Sequence, residues 1–229
     1  MDYVYICRQG ENEELRYSIR SVVKNTNYDN IWVVGYKPSW YVGNFVDFPD
    51  VATKFNNIIN CTKAITDVGA ISDDFVLMND DFFFLKYRNS MPVYHGGLLK
   101  DKIDKYSILG ARGYANLLRK TYKDLIRQGI KEPLDYDIHL PMPMNKQLLA
   151  QSIDKAYFPR SGYGNLNNVG GELITDVKAY RNKSLLASRS YDFTREDAEF
   201  VSTEDGSFDI VYDKILKGMF PEPSQYERM

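Results

Sequence analysis

Residues 74–84 read DFVLMNDDFFF, and this stretch decides the fold. Phe75 to Met78 is an uninterrupted apolar run of strand length, and Asn79, Asp80 and Asp81 stop it with three turn-forming residues before Phe82, Phe83 and Phe84. An apolar run without polar alternation is buried on both faces, as strands of a parallel sheet are. The chain before it fits that reading. Asp2 to Cys7 (DYVYIC) is a short β-rich run broken by Arg8-Gln9-Gly10, after which Leu15, Ile19, Val22 and Val23 recur at helical spacing. Ile31 to Gly35 (IWVVG) is a second buried strand, Val46 to Phe48 a brief third, and from Val51 to Asp67 the residues Phe55, Ile58, Ile59, Thr62 and Ile65 keep a helical period. Strand and helix thus alternate through the first third, which favours right-handed βαβ units, a mostly parallel central sheet and helices on its faces. Ligands of such sheets bind beyond the carboxyl ends of the strands, where Asp80 and Asp81 fall.

The later chain is less regular. Met91 to Gly97 reads as loop or edge strand, Ala111 to Gln128 as a helix ended by Gly129, Asn145 to about Lys155 as a helix, Ser161 to Gly171 as a Gly- and Asn-rich segment, and Phe208 to Leu216 as a last helix. With 229 residues, 44% of them apolar, and neither repeat nor linker, the expectation is one domain.

Composition excludes several classes. The 29 Lys and Arg against 31 Asp and Glu leave a net charge of −2, so no overall basic field draws in nucleic acid. Cys7 and Cys61 are too few for a disulfide framework, and the N-terminus lacks the pattern of a signal peptide; a reducing, cytoplasmic setting is expected, which voids the sequons at Asn60 and Asn182. No run approaches the roughly 18 apolar residues of a membrane helix. There is no Gly-x-Gly-x-x-Gly after a strand, no Walker loop, no Gly-x-Ser-x-Gly elbow and no cysteine-based zinc set. The 18 tyrosines supply flat surfaces able to stack on rings.

Chemistry is concentrated at four places, each with an ordinary reading beside the functional one. Asp80 and Asp81 repel each other at a sheet edge, a cost that a divalent cation relieves; otherwise they are a polar turn, and Phe82 to Phe84 are either a cavity wall or core. In Asp135-Tyr136-Asp137-Ile138-His139, alternation puts Asp135, Asp137 and His139 on one face of an extended segment, suiting a metal ligand and a base, or a hydrogen-bonded structural histidine. Arg8, Arg16, Arg20, Lys54 and Arg160 are clamps for a diphosphate or surface charges. Gly162, Gly164, Gly170 and Gly171 allow close backbone approach or supply turns.

Taken in order, DYVYICRQGENEELRYSIRSVVKN, IWVVGYKPSW, ISDDFVLMNDDFFF, DYDIHLPMPMNKQLL and RSGYGNLNNVGGE resemble the nucleotide-sugar transferases of the Stealth type and their bacterial and phage-like glycosyltransferase relatives. The resemblance spans most of residues 2 to 180, with a weaker echo in STEDGSF and FPEPSQYE. It implies a GT-A-like α/β fold, with residues 1–90 as the nucleotide-sugar half and 91–229 as the acceptor side and C-terminal helices. It implies Mn2+ or Mg2+ and a nucleotide-diphosphate sugar, by default a UDP-sugar, as donor. Asp80 and Asp81 match the acidic motif, Asp81 as the direct metal ligand, and His139 the histidine that approaches metal or diphosphate. Arg8 and Arg16 match basic positions near the donor, Arg160 and Asn165 a block closing over the phosphates, and Lys54 and Asn57 on the second helix complete the donor-binding set. An inverting enzyme also needs a carboxylate base, for which Asp137 and Glu172 are the candidates. The alternatives are transfer of a sugar 1-phosphate from the same site, and a carbohydrate-binding module without catalysis. The acceptor stays open among a glycan, a protein and a modified DNA base.

Overall fold

The central strands are β1 (Asp2–Cys7), β2 (Ile31–Gly35), β3 (Asn44–Asp47) and β4 (Asp74–Asn79), separated by α1 (Glu13–Asn25) and α2 (Lys54–Asp67). The computed structural model describes residues 1–48, 53–181, 191–204 and 206–228; the expected helix start at Val51 and the sequon at Asn182 lie outside them. In this sheet the order is β3-β2-β1-β4-β7, with β7 (Met142–Asn145) closing the edge. The first four strands are parallel and β7 runs antiparallel to β4, so the sheet is mostly parallel, as its apolar runs predict. All six residues of β1 are buried because both its faces are covered. Tyr3, Tyr5 and Cys7 pack with Leu15, Ile19 and Val22 of α1. Val4 and Ile6 pack on the other side with Cys61 and Ile65 of α2. The period of two in the strand and the heptad-like spacing in each helix are met together.

The NDD turn leads into a second sheet. Phe82–Phe84 forms β5, which pairs antiparallel with β10 (Phe200–Thr203), and β10 pairs in turn with β9 (Lys178–Ala179). All three phenylalanines are at most 1% exposed, so of the two readings the core one holds. Polar residues of α1 hold this strand in place. The Ser18 hydroxyl donates to the Phe82 carbonyl, Ser21 Oγ accepts the Phe84 N–H (3.0 Å), and Asn25 Nδ2 donates to the Phe84 carbonyl (2.8 Å). These buried groups satisfy an edge that would otherwise be left without partners.

The irregular middle contains more order than its sequence announces. Between β5 and β7 lie β6 (Tyr94–His95), α3 (Leu99–Ile108) and α4 (Arg112–Arg127). After β7 come α5 (Lys146–Ser152), capped by Asn145, and α6 (Pro159–Leu166), with β8 (Glu172–Leu173) pairing with β6. The Gly- and Asn-rich segment from Ser161 to Gly171 is therefore helical over its first half. Pro159 opens α6, where its missing N–H costs nothing, and Gly162 and Gly164 serve packing rather than turning. A Cβ at Gly164 would overlap the Tyr136 ring, and one at Gly162 would press on Ala156 at 3.2 Å. The chain ends in α7 (Phe208–Val211), a π-helical stretch Tyr212–Leu216 and a last turn Lys217–Met219. Beyond it, Glu227 is gripped by Arg20 through Nε (2.8 Å) and Nη2 (2.6 Å), which fastens the C-terminal segment to α1. Among the described residues no helix is long and apolar enough to cross a membrane.

The Gly164 contact has a measurable consequence. Gly164→Ala forces the Tyr136 ring from its seat, and chemical denaturation is expected to show a loss of about 1–3 kcal/mol despite alanine's better helix propensity.

Candidate functional site

A cavity of about 730 Å³ opens at the carboxyl edge of the parallel strands. The register brings its first residues together, since Cys7 pairs with Gly35 and Ile6 with Asn79, so Arg8 and Asp80 leave adjacent strands within one residue of the same level. Arg8 Nε lies 3.3 Å from Asp80 Oδ2, and Arg8 Nη2 donates to Glu14 Oε2 at 2.5 Å. Asn12 serves both sides of this edge. In a left-handed conformation (φ 47°), its Oδ1 caps α1 by accepting the Leu15 N–H, while its Nδ2 donates to Asp80 Oδ2 at 2.7 Å. Asp81 Oδ2 accepts from Ser202 Oγ at 3.1 Å and stands 3.5 Å from Lys178 Nζ, so the second sheet holds the second carboxylate. Glu14 Oε1 accepts from Thr203 Oγ1 at 2.9 Å.

Three crowded carboxylates thus line the cavity. Burial and the neighbouring Asp81 charge raise the Asp80 pKa, against the lowering effect of Arg8, Asn12 and Lys54. Glu14 is pushed up to about 7, first by burial and then by Asp80 and Asp81. Such crowding is the electrostatic condition that a cation relieves. Asp80 and Asp81 both line the cavity, and in the contacts above each uses only Oδ2.

A further part of the lining comes from the DYDIH segment. Its Asp137 is fixed at three points: the Asp135 carboxylate accepts its N–H (3.0 Å), Lys102 Nζ donates to its carbonyl (2.6 Å), and Ser161 Oγ donates to Oδ2. Burial, opposed by Lys102, pushes the Asp137 carboxyl up to about 6. Asp135 does not share its face, because it is buried in an ion pair with Lys102 (2.9 Å); the segment turns instead of running as a strand. His139 Nδ1 sits 2.8 Å from Asp176 Oδ2 and 2.9 Å from Oδ1. Burial lowers the histidine's pKa and Asp176 opposes this; Asp176 itself stays below the ordinary carboxylate range, burial being outweighed by His139, Lys102 and Lys178. With Nδ1 held by a carboxylate, the ring's other nitrogen is the one left to act, the arrangement common to histidine bases and histidine metal ligands.

Of the residues expected from sequence, Arg8, Lys54, Asn57, Asp80, Asp81, Asp137, His139 and Arg160 all line this cavity. Arg160 donates Nη1 to the Leu140 carbonyl (2.5 Å) and Nη2 to that of Leu77 (3.3 Å), so it fastens the DYDIH segment to β4 while its charge faces the cavity. Burial draws its pKa down to about 10, which leaves it cationic at neutral pH. Three expected residues are elsewhere. Arg16 pairs with Glu13 and Glu227 and stacks 4.5 Å over Trp40. Asn165 is buried in α6, where its amide bridges the N–H and carbonyl of Leu134. Glu172 is exposed on β8. Helical phase and edge pairing turn these side chains away, which leaves Asp137 as the carboxylate of the candidate pair that lines the cavity.

Asp80, Asp81 and His139 do not form a complete metal cage. Among the described residues no three His, Cys, Asp or Glu side chains are grouped to hold a metal ion, Asp81 and His139 being already engaged by Lys178 and Asp176. Two adjacent carboxylates that line a cavity nevertheless fit Mg2+ or Mn2+, which binds through one or two carboxylates and completes its shell with water and phosphate. Sequence reasoning missed Asn12, Glu14, Lys102, Asp176 and Lys178. Only Asn12 carried a signal, as a capping residue ahead of a helical period.

The His139–Asp176 pair has a testable sign. The Asp176 charge favours the imidazolium, so Asp176→Asn is expected to lower the His139 pKa further, read as an acid shift of its ring resonances in an NMR titration. No protein-family model matches the chain and no curated protein is matched by it, so the cavity's own chemistry carries the functional assignment.

Proposed function

We propose that the protein is a metal-dependent glycosyltransferase of GT-A-like architecture that moves a sugar from a nucleotide-diphosphate sugar. The observation that carries this reading is one cavity at the carboxyl edge of a parallel sheet that is lined by paired carboxylates, several cations, and a positioned carboxylate and histidine. Sheets of this kind bind nucleotides at that edge, and perturbed carboxyl groups in a cleft are a mark of catalytic sites.

Asp80 and Asp81 would hold the Mn2+ or Mg2+ ion, which when bound neutralises the charge that develops on the departing diphosphate. The chain's own cations act on the same charge. Arg8, Lys178 and Arg160 face the cavity and Lys54 stands at the start of α2, so they offset phosphate oxygens without moving. Arg8 also bridges Asp80 and Glu14, which keeps two of the crowded carboxylates in place. Asn57 lies on the buried side of α2 with its carbonyl accepting from Cys61 Sγ (3.2 Å), and its amide nitrogen offers a donor to the cavity.

Asp137 serves as the base that takes the acceptor hydroxyl proton. Its backbone and carboxylate are both held, so little reorganisation is needed as the proton transfers. A pKa near 6 makes it stronger than an exposed aspartate while leaving it ionised at neutral pH. His139, neutral and oriented by Asp176, stands ready to hydrogen-bond a phosphate or a hydroxyl.

Activity is tested by release of nucleoside diphosphate from a panel of nucleotide sugars, with Mn2+, Mg2+ or chelator. Turnover of one donor that requires metal and is lost in Asp81→Asn is expected; nucleoside monophosphate as product would instead assign sugar-phosphate transfer, and no turnover or binding of any donor would overturn the reading. Because Asp137 must be ionised to accept a proton, kcat/KM is expected to rise with pH through about 6 and then level. Asp137→Asn should lower kcat by about 10²- to 10⁴-fold and abolish that rise.

A further inference from the structure

We infer that the aromatic wall of the cavity is the acceptor subsite, and that the acceptor is the terminal sugar ring of a glycan; this rests on the transferase reading. Phe55 of α2, Tyr106 of α3, Tyr114 of α4 and Phe158 at the start of α6 line the cavity as one connected group of rings. Phe55 and Tyr114 are nearly coplanar in orientation, at 12° and 6.0 Å between centroids, and both are only partly buried. Tyr106 meets Tyr114 edge-on at 4.9 Å and Phe158 meets Phe55 at 5.7 Å, so two buried rings brace the two that keep exposed area.

The place of this wall says which substrate lies on it. Lys102 Nζ stands 5.9 Å from the Tyr114 ring centroid and 2.6 Å from the Asp137 carbonyl oxygen, so the wall adjoins the base. Arg8, Lys178 and the paired carboxylates come from the ends of β1 and β4 and from β9, while Lys54, beside Phe55, and Arg160, two residues after Phe158, mark where the wall meets the diphosphate. A ring seated on Phe55 and Tyr114 therefore presents its edge to Asp137, and the hydroxyl that loses a proton belongs to the acceptor. A pyranose offers an apolar C–H face to such rings and hydroxyls around its edge. At about 730 Å³ the cavity has the size of a small-ligand site and admits one or two sugar rings beside a diphosphate. A flipped nucleobase also stacks, but a chain of net charge −2 lacks the basic field that holds duplex DNA.

The test compares wild-type protein with Phe55→Leu and Tyr114→Leu, each measured by saturation-transfer NMR against a panel of methyl glycosides and short oligosaccharides. UDP with Mg2+ and a single-stranded oligonucleotide are titrated by calorimetry. Expected is a glycoside whose ring C–H protons receive saturation, weakened about three- to tenfold in each variant, while UDP affinity changes less than about twofold. Two variants on separate helices guard against one that fails to fold. Loss of UDP affinity in both, with no glycoside bound, would overturn the acceptor assignment and give the wall to the nucleotide's base, leaving the transferase reading intact. Glycoside binding that depends on the two rings without any UDP binding would keep the sugar subsite and sink the transferase reading. Oligonucleotide binding in place of glycoside, or variants that change nothing, would overturn the inference.

Discussion

Crowding of negative charge at the edge of the parallel sheet is the constraint on which the rest of this structure depends. Glu14, Asp80 and Asp81 come from the start of α1 and from the turn between β4 and β5, and burial makes their mutual repulsion costly. Each is answered by a fixed partner: Arg8 for Glu14 and Asp80, Asn12 for Asp80, Lys178 and Ser202 for Asp81. Those partners come from β1, the cap of α1, β9 and β10. Holding two carboxylates side by side thus requires both sheets and the first helix to be in register, and the NDD turn joins the two sheets for that reason.

A second buried electrostatic unit performs the same service for Asp137. Lys102 and Asp135 form an ion pair in which both members are at most 8% exposed, and each also bonds the backbone of Asp137. Buried pairs add little net stability, but breaking one leaves a charge without an answer, so they specify geometry more than they stabilise. Here the geometry specified is that of Asp137. Arg160 completes the frame by linking the Leu140 carbonyl to that of Leu77, so the DYDIH segment cannot move away from β4 without stranding a buried guanidinium.

Much of the first third was legible because its signals are local. The apolar runs of β1, β2 and β4 and the helical periods of α1 and α2 arise from burial on both faces of one sheet, and that pattern survives in a string of letters. The second half resisted for a physical reason. In α6 the glycines at 162 and 164 have poor helix propensity, and contact with Ala156 and the Tyr136 ring overrides it. In α1 the serines at 18 and 21 and Asn25 look like surface positions, yet they are the partners of the β5 backbone. Propensity describes a segment alone, whereas these residues are chosen for what packs against them.

For the site, the residue types at strand ends were determined by the sequence itself: Arg8, Asp80 and Asp81 fall where a parallel sheet must place them, because strand ends share an edge. What only the tertiary structure decided is which distant side chains complete them. Asp176 behind His139, Lys102 beneath Asp137 and Lys178 beside Asp81 are separated from their partners by 37, 35 and 97 positions, and no local periodicity encodes such pairings. Likewise Arg16, Asn165 and Glu172 carry the right chemistry but are turned away by helix phase and edge pairing, since a side chain's direction is set by the element it rides on and by what that element packs against.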